Sequence, residues 1–291
     1  MVTVGEWVQG ARPRTLPNAV APVLAGTGAA IGAGGFQPVG AVLALVVALG
    51  MIIGVNYSND YSDGVRGTDD NRVGPLRLVG SGTAEPATVR TAAFVSFGIA
   101  CLAGLVLVAL TGHWWLIALG AACVLGAWFY TGGSRPYGYR GLGEVAVFVF
   151  FGPVAVLGTV YVQSGPPGAP AVLAAVGVGM LSCSVLVANN LRDIPTDTQS
   201  GKRTLAVALG DRRTRLLYAT LVAIPFLFSL LAGVLFSPWL LLGLLAAPLA
   251  VVPVRTVLGG ATGPKLIPVL GASGIVMLAW AIGTGVGLAL S

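Results

Sequence analysis

From about residue 15 onward the chain is a succession of apolar runs of some twenty residues, separated by short polar stretches. Few folds accommodate that pattern. A hydrocarbon layer of about 30 Å is crossed by roughly 20 residues of α-helix, each advancing about 1.5 Å. Nine such runs can be counted, near 15–34, 38–58, 87–111, 114–130, 143–163, 170–190, 214–235, 238–256 and 266–290. None alternates with the period of two that a barrel strand needs, and a segment crossing lipid must satisfy its own backbone. The expectation is an all-α polytopic membrane protein: nine transmembrane helices in a bundle around a cavity open to the cytoplasmic side. Composition agrees, since charged residues make up 9% of the chain against about a quarter in soluble domains. The 43 glycines read as close helix contacts. Cys101, Cys123 and Cys183 lie within spans at no metal-binding spacing and read as buried thiols.

Orientation follows from the basic residues. With nine spans, all sixteen Lys and Arg residues fall in the N-terminal segment, in the loops near 59–86, 131–142, 191–213 and 257–265, or at their helix edges. The positive-inside rule makes that face cytoplasmic and puts the C-terminus outside, as expected of a multi-pass protein of the plasma membrane. It also accounts for much of the net charge of +6 without invoking nucleic acid. The acidic residues share the same face, although orientation does not require this of them. The chemistry is therefore expected on the cytoplasmic side, and the lone His113, beside Trp114 and Trp115 on the other side, reads as part of an aromatic belt.

Most of that charge is gathered in two places. In "NYSNDYSDGVRGTDDNRVGPLR", Asn56, Asn59 or Asp60, and Asp63 recur every three to four residues, so they share a face where the second span leaves the membrane. In "NNLRDIPTDTQSGKRTL", Asn190, Asp193 and Asp197 repeat that spacing at the end of the sixth. Each stripe is followed by a basic, glycine-containing loop. A solvated surface explains either cluster alone about equally well, but matched spacing on a common side argues for a joint role. Carboxylates brought face to face repel unless a cation joins them. Oxygen-only ligands favour magnesium, and with cations beside them the natural guest is a diphosphate bridged by the metal. The stripes lie four spans apart, which hints at a duplication of helices 1–4 as 5–8 inside a single domain covering residues 1–291.

These two motifs resemble the aspartate motifs of the UbiA superfamily of intramembrane prenyltransferases. The resemblance covers nearly the whole chain, and "GPLRLVGSG", "YTGGSRPYGYRGLGE" and "NNLRDIPTDTQSGKRTLAVALG" are similar to its menaquinone branch. It implies transfer of a polyprenyl group from its diphosphate to 1,4-dihydroxy-2-naphthoate, with loss of diphosphate and carbon dioxide. It further implies Mg2+ held by Asp60, Asp63, Asp193 and Asp197, the catalytic carboxylates. Gly67 stands where the family's first motif has its last aspartate, and Asp69 is expected to substitute as a metal ligand. Asn56, Asn59 and Asn190 are expected to line the substrate site. Arg66, Arg77, Lys202 and Arg203 are candidates for the diphosphate, and Tyr130, Arg135, Tyr137, Tyr139 and Arg140 for the aromatic acceptor, with Arg140 and Arg135 nearest its carboxylate. The stretch "ARPRTLPNAV" at 11–20 is expected along the membrane surface before the first span, where Arg12 or Arg14 is a lesser candidate to touch substrate. Two other readings stay open: a prenyltransferase of the same superfamily with another acceptor, and a cation-coupled transporter. The transporter reading is weakened because no acidic residue falls at the middle of a span.

Overall fold

The computed structural model describes residues 2–67 and 76–291, and every regular element among them is helical. The elements are α1 (Val4–Gly10), α2 (Pro17–Gly32), α3 (Pro38–Val65), α4 (Pro86–Thr111), α5 (Leu116–Phe129), α6 (Gly143–Ser164), α7 (Ala169–Gln199), α8 (Leu205–Leu235), α9 (Pro238–Leu258) and α10 (Ile267–Ala289). Among the described residues, seven helices are long and apolar enough to cross a membrane: α3, α4, α6, α7, α8, α9 and α10 with its leading turn from Gly263. The other two expected spans are shorter, 16 residues in α2 and 14 in α5. Local chemistry sets those lengths. Pro17 supplies a first helical residue whose missing N–H costs nothing there, and Gly34, at φ 73°, turns the chain just beyond the other end of α2. Gly112 likewise ends α4 in the left-handed region, so α5 begins only after Trp114 and Trp115 have turned the chain.

Helix α1 was not anticipated among the spans, yet its start is written in the sequence. Thr3 and Glu6 form a capping box, in which the Thr3 hydroxyl accepts the Glu6 N–H and the Glu6 carboxylate accepts the Thr3 N–H at 2.7 Å. Those hydrogen bonds hold the Glu6 carboxyl below the usual carboxylate range. Trp7 then stacks edge-on against Tyr57 of α3, whose hydroxyl donates to the Trp7 carbonyl at 2.9 Å.

The bundle is built around α7, which is buried along most of its length and packs on α8, α6, α10 and α2. Small residues decide how closely the helices approach. A Cβ on Gly28 would lie 2.1 Å from the Gly285 carbonyl oxygen, so α2 and α10 meet backbone to backbone. Gly177 of α7 leaves room for the ring of Trp280, the largest fully buried side chain. The outward faces are apolar instead, with Leu102 and Leu110 of α4, Val234 of α8 and Leu245 of α9 exposed, as a lipid-facing surface requires.

Helix α6 is irregular where it borders the interior. Pro153 removes a backbone donor from α6, and residues Phe150–Leu157 wind as a π-helix. At the other end of the bundle from His113, the chain brings three connections together. The guanidinium of Arg66, just past α3, donates to the carbonyls of Thr131 and Gly133. The Arg203 N–H donates to the Tyr139 carbonyl at 2.9 Å. The expected acidic and basic stretches therefore converge on one end of the molecule.

Candidate active site

The ends of α3 and α7 enclose a cavity of about 830 Å3 whose mouth is polar and whose interior is apolar. Helix geometry places the polar groups. Asn59 and Asp63 are four residues apart on α3, one above the other. Asp193 and Asp197 are related in the same way on α7, which stays helical through Pro195 and so keeps both on one face. Asn56, Asn59, Asp63, Asn190, Asp193 and Asp197 all line the cavity, as do Asn189 and Lys202. The two stripes singled out in the sequence thus share one chamber. Deeper in, Met51, Val55, Leu105, Leu119, Phe150 and Val154 supply an apolar wall from α3, α4, α5 and α6.

Asp63 is the electrostatic centre of the mouth. It is 4% exposed, its Oδ1 lies 3.5 Å from Lys202 Nζ, and its Oδ2 lies 3.8 Å from Arg77 Nη2. The Tyr139 hydroxyl donates to the same carboxylate, and the Lys202 ammonium sits 4.5 Å from the centre of the Tyr139 ring. Opposite, Asp193 is clasped by its own neighbour: Arg192 Nε and Nη2 donate to its two oxygens at 2.7 and 2.8 Å, and Nη2 also donates to Asn189 at 2.8 Å. Breaking such a buried pair by removing one partner costs about 3–5 kcal/mol, so Arg192 and Asp193 hold each other in place.

The donor chemistry fits a divalent cation that prefers hard oxygen ligands. Among the described residues no three carboxyl, thiol or imidazole groups converge on one point. Two carboxylate walls facing each other suit an ion that takes a few protein oxygens and completes its shell with phosphate and water, the habit of Mg2+. Asp69, expected among the ligands, lies outside the described residues.

Asp60 departs from its expected place. Its carboxylate is fully buried and accepts the backbone N–H groups of Leu78 at 2.8 Å and Val79 at 3.0 Å, while the cavity lining among the described residues includes Asn59 and Asp63 but not Asp60. One residue of offset turns a helical side chain by about 100°, enough to move Asp60 off the face that Asn59 shares with Asp63.

The basic residues divide in the same way. Arg77 and Lys202 line the cavity, but Arg66 is engaged with the 131–133 backbone at the surface. Arg135, Arg140 and Arg203 line a separate outer hollow of about 500 Å3, divided from the cavity by Tyr139, which borders both. An acceptor inside the cavity is therefore out of line with the two arginines expected to hold its carboxylate. Arg12 borders the cavity itself. Its Nη2 lies 3.5 Å from the Asn56 carbonyl, and it is the only non-glycine residue with positive φ among those described, at 55°. That conformation costs about 1–3 kcal/mol and persists only where its surroundings enforce it. Asn56 does so, its amide donating to the Ala11 carbonyl and the Thr15 hydroxyl, both at 2.9 Å.

Tyr130 and Tyr137 stand edge to face at 5.5 Å and both line the cavity. Burial pushes the Tyr137 hydroxyl up to about 12 and Tyr130 higher still, so both stay protonated. The Tyr137 hydroxyl donates to the Gly126 carbonyl at 2.6 Å. Glu144, which the sequence did not single out, is buried and accepts a 2.9 Å bond from Asn190. It stands alone in its segment, without the repeat that drew attention to the aspartates.

A polytopic helical bundle with a charged mouth over an apolar chamber defines a membrane protein built to hold an amphiphile by its ionic head. Sequence comparison agrees: the UbiA prenyltransferase family matches residues 19–259, and the chain belongs to that family. It is 57% identical over 289 residues to the 1,4-dihydroxy-2-naphthoate octaprenyltransferase of Mycobacterium tuberculosis, covering 99% of this chain and 98% of that one. It is 41% identical to the enzyme of the same name from Escherichia coli, covering 87% of this chain and 84% of that one. Among solved structures it shares its fold with a UbiA homolog from Archaeoglobus fulgidus, bound to GPP and Mg2+, with a TM-score of 0.68 and 15% identity over 98% of this chain and all of that one.

Proposed function

We infer that the protein transfers a polyprenyl group from its diphosphate to 1,4-dihydroxy-2-naphthoate, releasing diphosphate and carbon dioxide and forming the prenylated 1,4-dihydroxynaphthalene, the reduced form of demethylmenaquinone. The observation that carries this reading is the shared chamber: both aspartate motifs and two cations border one mouth, and the space behind it is apolar. Near full-length identity of 57% and 55% to two enzymes named for that acceptor supports it.

Asp63, Asp193 and Asp197 are the residues to hold Mg2+, which when bound neutralises the diphosphate as a leaving group. Lys202 and Arg77 donate charge-assisted hydrogen bonds to its outer oxygens. The prenyl tail lies along the apolar wall of α3, α4, α5 and α6, where water does not reach the allylic cation that forms as the carbon–oxygen bond breaks. Arg12 pairs with the naphthoate carboxylate. Asn56 is seven residues before Asp63, about 10 Å deeper along α3, so the acceptor sits beneath the diphosphate and against the reacting end of the tail. Tyr130, Tyr137 and Tyr139 cover the ring and keep its attacking face dry. The ring carbon bearing the carboxylate bonds to the prenyl carbon, and the electron pair of the bond to carbon dioxide then restores the aromatic ring.

In this reading α2 and α5 complete nine spans, the charged end faces the cytoplasm, and the protein resides in the plasma membrane. The test is an assay of purified protein with magnesium, a polyprenyl diphosphate and a panel of aromatic acceptors. Dihydroxynaphthoate labelled in its carboxylate should be consumed with one labelled carbon dioxide released per prenyl group transferred. Preferential consumption of a hydroxybenzoate would overturn the acceptor assignment.

A further inference from the structure

The first aspartate motif presents two faces of α3 to two different partners. Asn59 and Asp63 look into the cavity, whereas Asp60 and Gly64, also four residues apart, adjoin the turn that re-enters the bundle near Leu78. Each oxygen of the Asp60 carboxylate accepts one main-chain N–H of that turn, Leu78 on Oδ2 and Val79 on Oδ1. Gly64 lets the turn lie flat on the helix, for a Cβ there would come within 2.4 Å of Val79 Cγ1 and 3.2 Å of the Gly80 nitrogen. From above, Leu78 is held by α1 and Tyr57: a Cβ on Gly10 would meet its Cδ1 at 2.7 Å and the Tyr57 ring at 3.1 Å. The residue just before this clamped pair is Arg77, and its guanidinium reaches back to within 3.8 Å of Asp63.

We propose that Asp60 is a positioning residue: it fixes the turn from which Arg77 reaches the diphosphate end of the cavity, and it acts on the reaction through that arginine and not as a metal ligand. The proposal rests on the reading of the mouth as a diphosphate site. An arginine on a loose loop would lose rotamer and backbone freedom on each binding event, whereas one on an anchored turn has lost it already. A carboxylate suits the task because two adjacent N–H donors need two acceptors. An amide offers one acceptor and points a donor at the other N–H. The pattern explains why two aspartates stand three residues apart in "NDYSD" when only one of them faces the chamber.

Four variants of the full-length protein separate the two roles: Asp60→Asn, Arg77→Ala, the double variant and Asp63→Asn, each assayed for the polyprenyl diphosphate KM and for the magnesium concentration giving half-maximal rate. Asp60→Asn and Arg77→Ala should each raise the diphosphate KM roughly 10-fold, as expected for a lost charge-assisted contact. The double variant should be no worse than Arg77→Ala alone, because both act through one interaction. The magnesium requirement should stay at the wild-type value in these three and rise in Asp63→Asn. An increased magnesium requirement in Asp60→Asn, or a double variant whose loss is the product of the single losses, would overturn the proposal. Wild-type KM in Arg77→Ala would overturn the diphosphate reading of the mouth and the proposal with it. Should Asp60→Asn fail to insert, Gly64→Ala displaces the same turn without touching a carboxylate. It should raise the diphosphate KM at unchanged magnesium requirement, and wild-type KM there would count against the anchored turn.

Discussion

Arg12 and Arg140 make opposite predictions from similar chemistry. Arg12 lines the cavity beside Asn56, and Arg140 lines the outer hollow beyond Tyr139. Arg12→Ala should raise the acceptor KM by ~10-fold or more, in line with a lost charge-assisted pair of about 1.5–3 kcal/mol, with little change in diphosphate KM. Arg140→Ala should leave both within about twofold, because an exposed arginine outside the chamber has little to lose. Steady-state kinetics with each substrate varied in turn checks both, and the reverse pattern would return the acceptor to the 130–144 loop. The distinction was not legible in the sequence. Arg135 and Arg140 stand among tyrosines in "YTGGSRPYGYR", which reads as an aromatic acceptor loop, and nothing there shows that Tyr139 turns one side to each space. By contrast the two stripes were legible, since helical spacing puts Asn59 with Asp63 on one face of α3 and Asp193 with Asp197 on one face of α7. Asp60 was misplaced because spacings of three and four both satisfy a stripe, and only its contact with Leu78 and Val79 tells the faces apart.

Helix by helix, the apolar runs placed the elements well, and the remaining differences concern ends and irregular turns. Nothing in the periodicity announced the π-helical stretch Phe150–Leu157, although Pro153 marks the donor it lacks. Helix α1 was missed because seven residues make no span, while its capping box was there to be read. Many of the glycines behave as read and sit where helices touch, Gly28 and Gly177 among them. Gly28→Val should therefore force α2 and α10 apart, since a Cβ there would lie 2.1 Å from the Gly285 carbonyl oxygen and backbone cannot swing aside as a side chain can. Overpacking of this kind costs about 1–3 kcal/mol or more, and for a chain of this size that lowers Tm by several degrees. Thermal denaturation in detergent measures it. Gly98→Ala on α4, where a Cβ would meet nothing within 4 Å, should leave Tm unchanged or slightly raised. Equal melting of both variants with wild type would count against close α2–α10 packing.

For the molecule as a whole, one end carries the charge and the rest faces lipid. If the nine helices α2 to α10 all cross and the charged end is cytoplasmic, a reporter fused after Ser291 should behave as external, and a cytoplasmic signal would mean that α2 or α5 does not span. The central claim is narrower: the carboxylates of α3 and α7 form a single site around one metal-bridged diphosphate. Its most direct measurement is calorimetric binding of a non-reactive polyprenyl thiodiphosphate analogue, with magnesium and then with EDTA, to wild type, Asp63→Asn and Asp193→Asn. The account predicts tight binding by wild type in magnesium only, and loss of that magnesium-dependent binding in each variant, since neither helix alone supplies enough ligands. Binding that survives EDTA, or that either variant retains at wild-type strength in magnesium, would contradict it.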